Sequence, residues 1–119
     1  MEDQLNKLKS LKIEVYCLNS NNLNKNIDKE KILDGKCGIV YMSPEYFLKC
    51  EYFIKKLSDK KLISLIAIDE SHCISTWSDF RPEYKKLGII KKWVKNVPLL
   101  SLTATATPRT IDDIKEVLS

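Results

Sequence analysis

Residues 66–75 read Ile-Ala-Ile-Asp-Glu-Ser-His-Cys-Ile-Ser, an apolar segment that stops at two adjacent carboxylates, Asp69 and Glu70. The apolar run begins at Leu62, and its length and β-branched content predict a strand buried on both faces of a sheet. In an open parallel sheet, ligands bind just beyond the carboxyl ends of the strands. The acid pair therefore predicts a functional site at this strand end, and the alternative is an ordinary surface pair of acids.

The rest of the chain alternates strands with helices around that segment. The pattern predicts further strands over residues 13–18, 37–42 and 98–102, and helices over residues 23–34, from Pro44 through the mid-fifties, over 82–95 and from Pro108 onward. Four such alternations predict an α/β fold with a parallel sheet and right-handed crossovers. Two helical faces are predicted to be apolar, one formed by Leu23, Ile27 and Ile32 and the other by Ile111, Ile114 and Leu118.

Composition narrows the class of protein. The 119 residues suit one domain, with 44% hydrophobic and 30% charged residues and a formal net charge of +4. No apolar stretch approaches the roughly 20 residues that span a bilayer, and the polar start predicts no signal peptide. The four cysteines have no C-x-x-C spacing and only one histidine is present, so the sequence predicts reduced thiols in an intracellular protein rather than a zinc site.

Polar segments follow all four predicted strands. They are Asn19-Ser20, Ser43-Pro44-Glu45, residues 69–72 and residues 103–107. Because carboxyl ends of parallel strands share one edge of a sheet, these segments predict one composed site. There Asp69 is expected to hold Mg²⁺ through water, and Glu70 to orient or deprotonate an attacking water, as in a nucleotide triphosphatase.

Two further features have a functional and a structural interpretation. His72 could bridge Glu70 to the threonines of residues 103–107 by hydrogen bonds, or it could be a structural histidine that caps a loop. The hydroxyls of that threonine-rich segment could relay changes in phosphate state, or Thr107 could cap a helix that starts at Pro108. Both readings of the threonine segment are compatible.

Residues 73–84 crowd three aromatic side chains around one arginine. Trp77, Phe80 and Tyr84 surround Arg81 in a stretch predicted to be a loop. Aromatic rings can stack on bases and arginine can grip phosphates, which predicts a nucleic-acid contact. The alternative is an apolar flap that covers the core.

Together these segments resemble the RecQ family of superfamily 2 DNA helicases over essentially the whole chain. Asp69-Glu70-Ser71-His72 is similar to the family's Asp-Glu-x-His motif II, and residues 101–105 are similar to its motif III. Residues 41–45 resemble its Tyr-x-x-Pro-Glu segment, residues 1–4 the end of motif Ia, and residues 17–20 a recurring family segment. Residues 73–84 resemble the aromatic-rich loop that marks RecQ enzymes.

The resemblance implies that residues 1–119 are part of the first RecA-like, ATP-binding motor domain. The whole enzyme would use ATP and Mg²⁺ to move 3′ to 5′ on single-stranded or forked DNA and to unwind it, in the nucleus of a eukaryote or otherwise in the cytoplasm. By position, Asp69 would coordinate Mg²⁺, Glu70 would be the catalytic carboxylate, and both would contact nucleotide together with His72. The residues implied in DNA contact or coupling are His72, Trp77, Phe80, Arg81, Thr103 and Thr105, with Asn19, Ser20, Ser43 and Pro44 near the DNA-contacting edge.

The sequence also departs from the family pattern. Ser78 alone stands where the family has Gly-His, so the aromatic loop is one residue short. The sequence contains no G-x-x-x-x-G-K-[ST] phosphate loop, no adenine-reading glutamine segment and no second motor domain, which are expected upstream and downstream. An incomplete sheet of about four strands is therefore expected, and a chain that alone neither hydrolyses ATP nor unwinds DNA. The alternatives are a superfamily 2 RNA helicase, a non-catalytic nucleic-acid-binding module and a degenerate remnant.

Overall fold

The computed structural model describes residues 6–7, 11, 13–35, 38–75, 80–104 and 106–118. Strands and helices alternate along these residues, which confirms the α/β class, and the chain divides into two compact units, residues 1–49 and 50–119. The elements are β1 (Val15–Leu18), α1 (Lys25–Leu33), β2 (Ile39–Met42), α2 (Pro44–Leu48), α3 (Glu51–Asp59), β3 (Ile66–Ile68), a first 3₁₀ helix (Ser71–Ile74), α4 (Pro82–Lys85), a second 3₁₀ helix (Lys86–Ile89), α5 (Ile90–Trp93), β4 (Leu99–Ser101) and α6 (Pro108–Leu118).

The first unit contains a two-stranded parallel sheet. β1 pairs with β2 in a register that runs from Val15 opposite Ile39 to Leu18 opposite Met42. Helix α1 connects the two strands, and it stops where Gly35 takes a φ of 78°. The Gly35 N–H donates to the Ile32 carbonyl at 3.0 Å, the left-handed helix stop that the sequence indicates at this glycine.

The apolar face predicted for the first of these helices is mostly wrong. Ile32 is buried, whereas Leu23 is 98% exposed and Ile27 is exposed as well. The reason lies in the turn that precedes the helix. The Asn22 side-chain oxygen accepts the Asn24 N–H at 2.8 Å, and helix α1 begins only after this turn. Leu23 therefore lies outside the helix.

The second unit contains the other two-stranded parallel sheet. β3 pairs with β4, with Ile66 opposite Leu99 and Ile68 opposite Ser101. A parallel pair needs a long crossover, and α4, α5 and the two 3₁₀ helices lie within it. The buried apolar side chains from the elements of this unit are Phe53, Ile54, Leu57, Ile68, Ile74, Tyr84, Leu87, Ile90, Trp93, Ile114 and Leu118.

The strand at the acid pair is shorter and more exposed than the sequence predicts. Only Ile66–Ile68 is strand, and Leu65 and Ala67 are exposed, so the prediction of a strand buried on both faces is wrong. In the described part of the chain the four strands form two separate pairs, and β3 has β4 as its neighbour. A two-stranded sheet covers less of its own surface than the broad sheet that such an apolar run suggests.

Two predicted helices are divided. The helix from Pro44 breaks after Leu48, because Cys50 takes φ −111° and ψ 35° and a new helix starts at Glu51. The stretch 82–95 forms α4, a 3₁₀ helix and α5 in succession. Within the 3₁₀ segment, a Cβ added at Gly88 would lie 2.7 Å from the Val117 carbonyl oxygen, so the absence of a side chain allows close packing on α6.

The last helix follows the prediction. It begins at Pro108, after Thr107, whose hydroxyl oxygen accepts the Thr110 N–H at 3.3 Å. Ile114 and Leu118 are buried, whereas Ile111 on the same predicted face is 37% exposed. Among the described residues, every helix is too short or too polar to cross a membrane.

Candidate functional site

The acid pair occupies a left-handed turn at the carboxyl end of β3. Glu70 has φ 54° and ψ 36°, and its N–H donates to the Asp69 Oδ1 atom at 2.9 Å. The left-handed region costs a residue with a side chain about 1–2 kcal/mol, and such conformations cluster at functional sites. Both acids are exposed at the surface, so the turn presents two carboxylates to solvent.

Ser71 connects this turn to the end of the neighbouring strand through hydrogen bonds. Its side chain is fully buried, and both its N–H and its hydroxyl donate to the Leu102 carbonyl, at 3.0 and 3.1 Å. The Leu102 N–H in turn donates to the Ile68 carbonyl at 2.9 Å. The carboxyl ends of β3 and β4 are therefore held at one edge of their sheet, as the sequence predicts for these two segments.

His72 lies between the acid turn and the threonine-rich segment. Its Nε2 atom is 3.5 Å from the Glu70 Oε2 atom, and its Nδ1 atom is 2.8 Å from the Thr103 Oγ1 atom. The structure thus places His72 in contact with both groups that the sequence predicts it to bridge, and the residue is 6% exposed. A proton on Nε2 would face the carboxylate and leave Nδ1 to accept from the threonine hydroxyl. The histidine is also buried, as a structural residue would be, and its functional role stays a prediction.

The arginine of the aromatic segment is tied to the same 3₁₀ helix. The Arg81 N–H donates to the Cys73 carbonyl at 2.9 Å, and the guanidinium lies 5.5 Å from the centroid of the Tyr84 ring. Phe80 is 39% exposed. An exposed aromatic ring therefore lies next to an arginine close to the acid turn, an arrangement that can stack a base and contact a phosphate.

Tyr84 lies near the acid turn, and its surroundings raise the pKa of its phenol. Burial is the main cause that raises the pKa of its phenol above 10.0, and the nearby Cys73, Glu70 and Asp69 groups raise it further. The Arg81 guanidinium opposes them and lowers it. The phenol therefore stays neutral around neutral pH.

A hydrogen bond at the end of the 3₁₀ helix was not predicted from the sequence. Ser75 is fully buried, and its hydroxyl donates to the Asp113 Oδ2 atom at 2.6 Å. The two residues are 38 positions apart, and Asp113 does not belong to the patterns that predict the site. An acid on the inward side of an amphipathic helix is the one signal that could have drawn attention to Asp113.

The first unit contains four of the predicted residues, Asn19, Ser20, Ser43 and Pro44, and Ser43 and Asn19 make local hydrogen bonds there. The Ser43 hydroxyl accepts the Tyr46 N–H at 3.2 Å and so caps α2. The Asn19 Oδ1 atom accepts the Asn21 N–H at 2.9 Å, and its amide lies 3.6 Å from the Cys17 sulfur. Both residues follow strands whose carboxyl ends lie side by side in the β1–β2 sheet.

Some predicted residues lie outside the described part of the chain. These are Trp77 and Thr105, and Cys37 at the predicted start of β2. Cys17, Cys50 and Cys73 are reduced thiols. Within the described residues no three of the histidine, cysteine, aspartate and glutamate side chains cluster to hold a metal ion, so any cation at Asp69 and Glu70 would depend on water and ligand oxygens.

A cleft of about 760 Å³ adjoins the corner formed by Ser71 and Thr103. It is lined mainly by apolar side chains of β4, the segment after it and α6, and Lys91 and Lys115 are among its lining residues. Asp69 and Glu70 are not among the lining residues. The acid pair therefore lies on the open edge of the sheet rather than in this cleft.

Several known proteins are similar to this chain over nearly its whole length. The family model for DEAD/DEAH box helicases matches residues 1–114. A protein of Acanthamoeba polyphaga mimivirus, whose name assigns it to the ATP-dependent RNA helicases, is 45% identical over 99% of this chain and 22% of its own length. The ATP-dependent DNA helicase Q1 of Pongo abelii is 36% identical over 99% of this chain and 19% of its own length.

RecS of Bacillus subtilis (strain 168), a probable ATP-dependent DNA helicase, is 40% identical over 99% of this chain and 24% of its own length. The chain thus spans about a fifth of the length of the curated relatives it matches. The family model covers nearly all of it, and its motif II and motif III segments meet at one sheet edge. The chain therefore belongs to the DEAD/DEAH box helicases, and its relatives include the RecQ-type members of that family.

Proposed function

We propose that residues 1–119 form part of the first RecA-like domain of a RecQ-type, ATP-dependent DNA helicase that moves 3′ to 5′ on single-stranded or forked DNA. The observation that carries this proposal is the chain of contacts from Glu70 through His72 to Thr103. It joins an exposed acid pair to the segment after the next strand, which is what a site needs if a change at nucleotide phosphate is to reach another part of the domain. In a eukaryote such an enzyme would act in the nucleus.

Asp69 and Glu70 would have different roles at the nucleotide, one toward the metal ion and the other toward the attacking water. Mg²⁺ binds through one or two carboxylates and otherwise keeps water and phosphate oxygens, so the exposed Asp69 fits this ion without a dedicated protein cage. When bound, the ion would neutralise charge on the phosphates. Glu70 would position the attacking water and accept its proton, and its exposed carboxylate lies 3.5 Å from the His72 ring in the 3₁₀ helix that follows.

Phe80 and Arg81, with Trp77 by its place in the motif, would contact single-stranded DNA. The Arg81 backbone is bonded to the 3₁₀ helix that contains His72, so a DNA contact at this arginine has a short covalent and hydrogen-bonded route to the acid turn. Stacking on aromatic rings is tolerant of base sequence, and phosphate contacts make the affinity depend on salt.

We further propose that the isolated chain neither hydrolyses ATP nor unwinds DNA. The sequence contains no phosphate loop, so no lysine and no row of backbone amides would hold the β and γ phosphates opposite the acid pair. ATP turnover by the purified chain that rises with DNA and disappears in Glu70→Gln would overturn this part of the proposal.

DNA binding is tested with the purified chain and fluorescently labelled single strands. We expect salt-dependent binding that favours DNA over RNA of the same sequence, and weaker binding in Phe80→Ala and Arg81→Ala. Arg109→Ala is the matched control, since it removes the same charge from the exposed start of α6. Equal loss of affinity in the two arginine variants would mean that only net charge matters.

Catalytic competence is tested in a chimera in which residues 1–119 replace the matching segment of the Bacillus subtilis relative. We expect ATP turnover that single-stranded DNA stimulates, and a loss of at least about 100-fold in Glu70→Gln. A chimera whose turnover is unaffected by Glu70→Gln would remove this residue from the catalytic role.

An RNA helicase is the second candidate, because the mimivirus relative is named as one and is 45% identical to this chain. The same binding experiment separates the two. Equal affinity for DNA and RNA strands, or equal stimulation of the chimera by both, would favour the RNA candidate.

A further inference from the structure

We propose that Asp113 is a positioning residue that fixes the end of the 3₁₀ helix at Ser75 and so holds Phe80 and Arg81 in place for contact with single-stranded DNA. The inference rests on the proposed function and adds to it a residue outside motifs II and III. The observation behind it is the 2.6 Å hydrogen bond from the fully buried Ser75 hydroxyl to the Asp113 carboxylate.

The 3₁₀ helix is fixed at its beginning and at its end by different elements. At the beginning, the Ser71 N–H and hydroxyl bind the Leu102 carbonyl after β4. At the end, Ser75 binds Asp113 on α6. The first bond therefore aligns the acid turn with its neighbouring strand, and the second fixes the position of Ser75 at the end of the 3₁₀ helix.

The return of the chain depends on the same short helix. The Arg81 N–H donates to the Cys73 carbonyl, two residues before Ser75. A displacement of Ser75 would therefore change the position of both the start and the end of the aromatic segment. A hydrogen bond to a charged acceptor is about twice as strong as one between neutral groups, which suits a fixed point in a functional loop.

Helix α6, which carries Asp113, is fixed against its neighbours in the second unit. Thr107 caps its first turn, and the glycine at position 88 lets its Val117 carbonyl approach the second 3₁₀ helix. The carboxylate is thus presented by a rigid element rather than by a loop. Asp113 is not expected to contact DNA, because its negative charge would repel phosphates.

The negative charge of Asp113 makes the experiment specific, because loss of a charge that repels phosphates would not by itself weaken DNA binding. We compare Asp113→Asn with Asp112→Asn, which removes the same charge from the exposed neighbouring position on α6. For the control we expect single-strand affinity unchanged or slightly higher, since a repulsive charge is lost. For Asp113→Asn and for Ser75→Ala we expect affinity lower by about threefold to tenfold, and no further loss in the double variant.

Two readouts separate positioning from a general loss of structure. If Arg81 no longer reaches its phosphate, the slope of log affinity against log salt falls by about one contact, whereas partial unfolding lowers the binding-competent fraction and leaves the slope unchanged. Asp113→Glu keeps the carboxylate and should recover part of the affinity. Backbone hydrogen exchange over residues 73–84 should be faster in Asp113→Asn than in Asp112→Asn.

The outcomes are distinguishable. An Asp113→Asn variant that binds and exchanges like Asp112→Asn overturns the inference, and so does a loss of affinity with an unchanged salt slope. If Asp113→Asn does not fold, Ser75→Ala and Asp113→Glu decide by the same two readouts. If the unmodified chain binds no single-stranded DNA, the proposed function fails, and hydrogen exchange over residues 73–84 alone decides whether Asp113 fixes this segment.

Discussion

Two strand ends in this protein lead into helices in different ways. After β2, Ser43 caps α2 through its hydroxyl and Pro44 occupies the first helical position, so the chain follows the usual rules for a helix start. After β3, Glu70 lies in the left-handed region, and the next residues form a 3₁₀ helix whose Ser71 and His72 are buried.

The two strand ends differ in whether their hydrogen-bond partners are near or distant in the sequence. The β2 end satisfies its backbone with its own side chain, three residues away. The β3 end depends on partners 31 and 38 positions away in sequence, through His72 to Thr103 and Ser75 to Asp113. The second arrangement exposes two carboxylates in a strained turn, which a fold would not need for its own sake.

The largest effect is expected at His72. Replacing this buried ring by alanine in His72→Ala removes its contacts with Glu70 and Thr103 and leaves a cavity, so we expect the free energy of unfolding to fall by about 2–3 kcal/mol. Both tryptophans, Trp77 and Trp93, belong to the second unit, so tryptophan fluorescence in urea reports on the correct part of the chain.

A matched control is Thr103→Val, which removes only the hydroxyl partner and should cost about 1 kcal/mol. If His72→Ala costs no more than this, His72 is not the connecting residue of the β3 end, and the contrast between the two strand ends would lose its main support.

At the β2 end a smaller effect is expected. Ser43→Ala removes the cap and should destabilise α2 by about 1 kcal/mol, whereas Ser43→Asp, which can also cap, should cost less. Hydrogen exchange at the Tyr46 and Phe47 amides measures this locally. Ser20→Ala, at an exposed turn position, is the control, and equal exchange in Ser43→Ala and Ser20→Ala would show that the cap contributes nothing.

The left-handed turn predicts a change of the opposite sign. Glu70→Gly relieves the backbone strain and should stabilise the second unit by about 0.5–1 kcal/mol, while it removes the proposed catalytic group. Glu116→Gly, at an exposed position within α6, should instead destabilise by about 1 kcal/mol. Unfolding in urea, followed by tryptophan fluorescence, compares them, and a destabilised Glu70→Gly would argue against stored strain.

The parts of the fold that sequence predicts best are those set by neighbours in the chain. The start of α6 at Pro108, the stop at Gly35 and the cap at Ser43 each depend on residues within one helical turn. The predicted union of four strands in one sheet and the burial of residues 62–68 depend on which surfaces meet, and these predictions differ from the structure. Sequence rules that act within one helical turn do not determine which distant surfaces pack against each other.

The candidate site divides in the same way. Asp69, Glu70 and the bridge through His72 could be predicted because motif spacing places them at strand ends. The link from Ser75 to Asp113 could not, since it depends on how α6 packs against the 3₁₀ helix. The left-handed backbone of Glu70 was equally hidden, because glutamate carries no sequence signal for that conformation.

The smallest expected effect concerns Tyr84, which lies beside the acid turn. Because burial and the neighbouring Cys73, Glu70 and Asp69 groups raise the pKa of this phenol above 10.0, the unfolded chain loses its proton first as the pH rises. Between the unfolded and the folded pKa the native state binds more protons, so stability is complete below pH 10 and falls as the pH rises through the folded pKa. Tyr84→Phe should remove this part of the alkaline loss.

Unfolding midpoints measured from pH 9 upward test the effect, with Tyr52→Phe at a 78% exposed position as the matched loss of a phenol. Glu70→Gly removes one of the charges that raise the pKa of Tyr84, and should therefore make the alkaline decline slightly shallower than in the unmodified chain. If Tyr84→Phe and Tyr52→Phe decline alike, the phenol does not sense the acid turn. The β3 end would then be strained and buried but electrostatically ordinary, and it would differ from the β2 end by geometry alone.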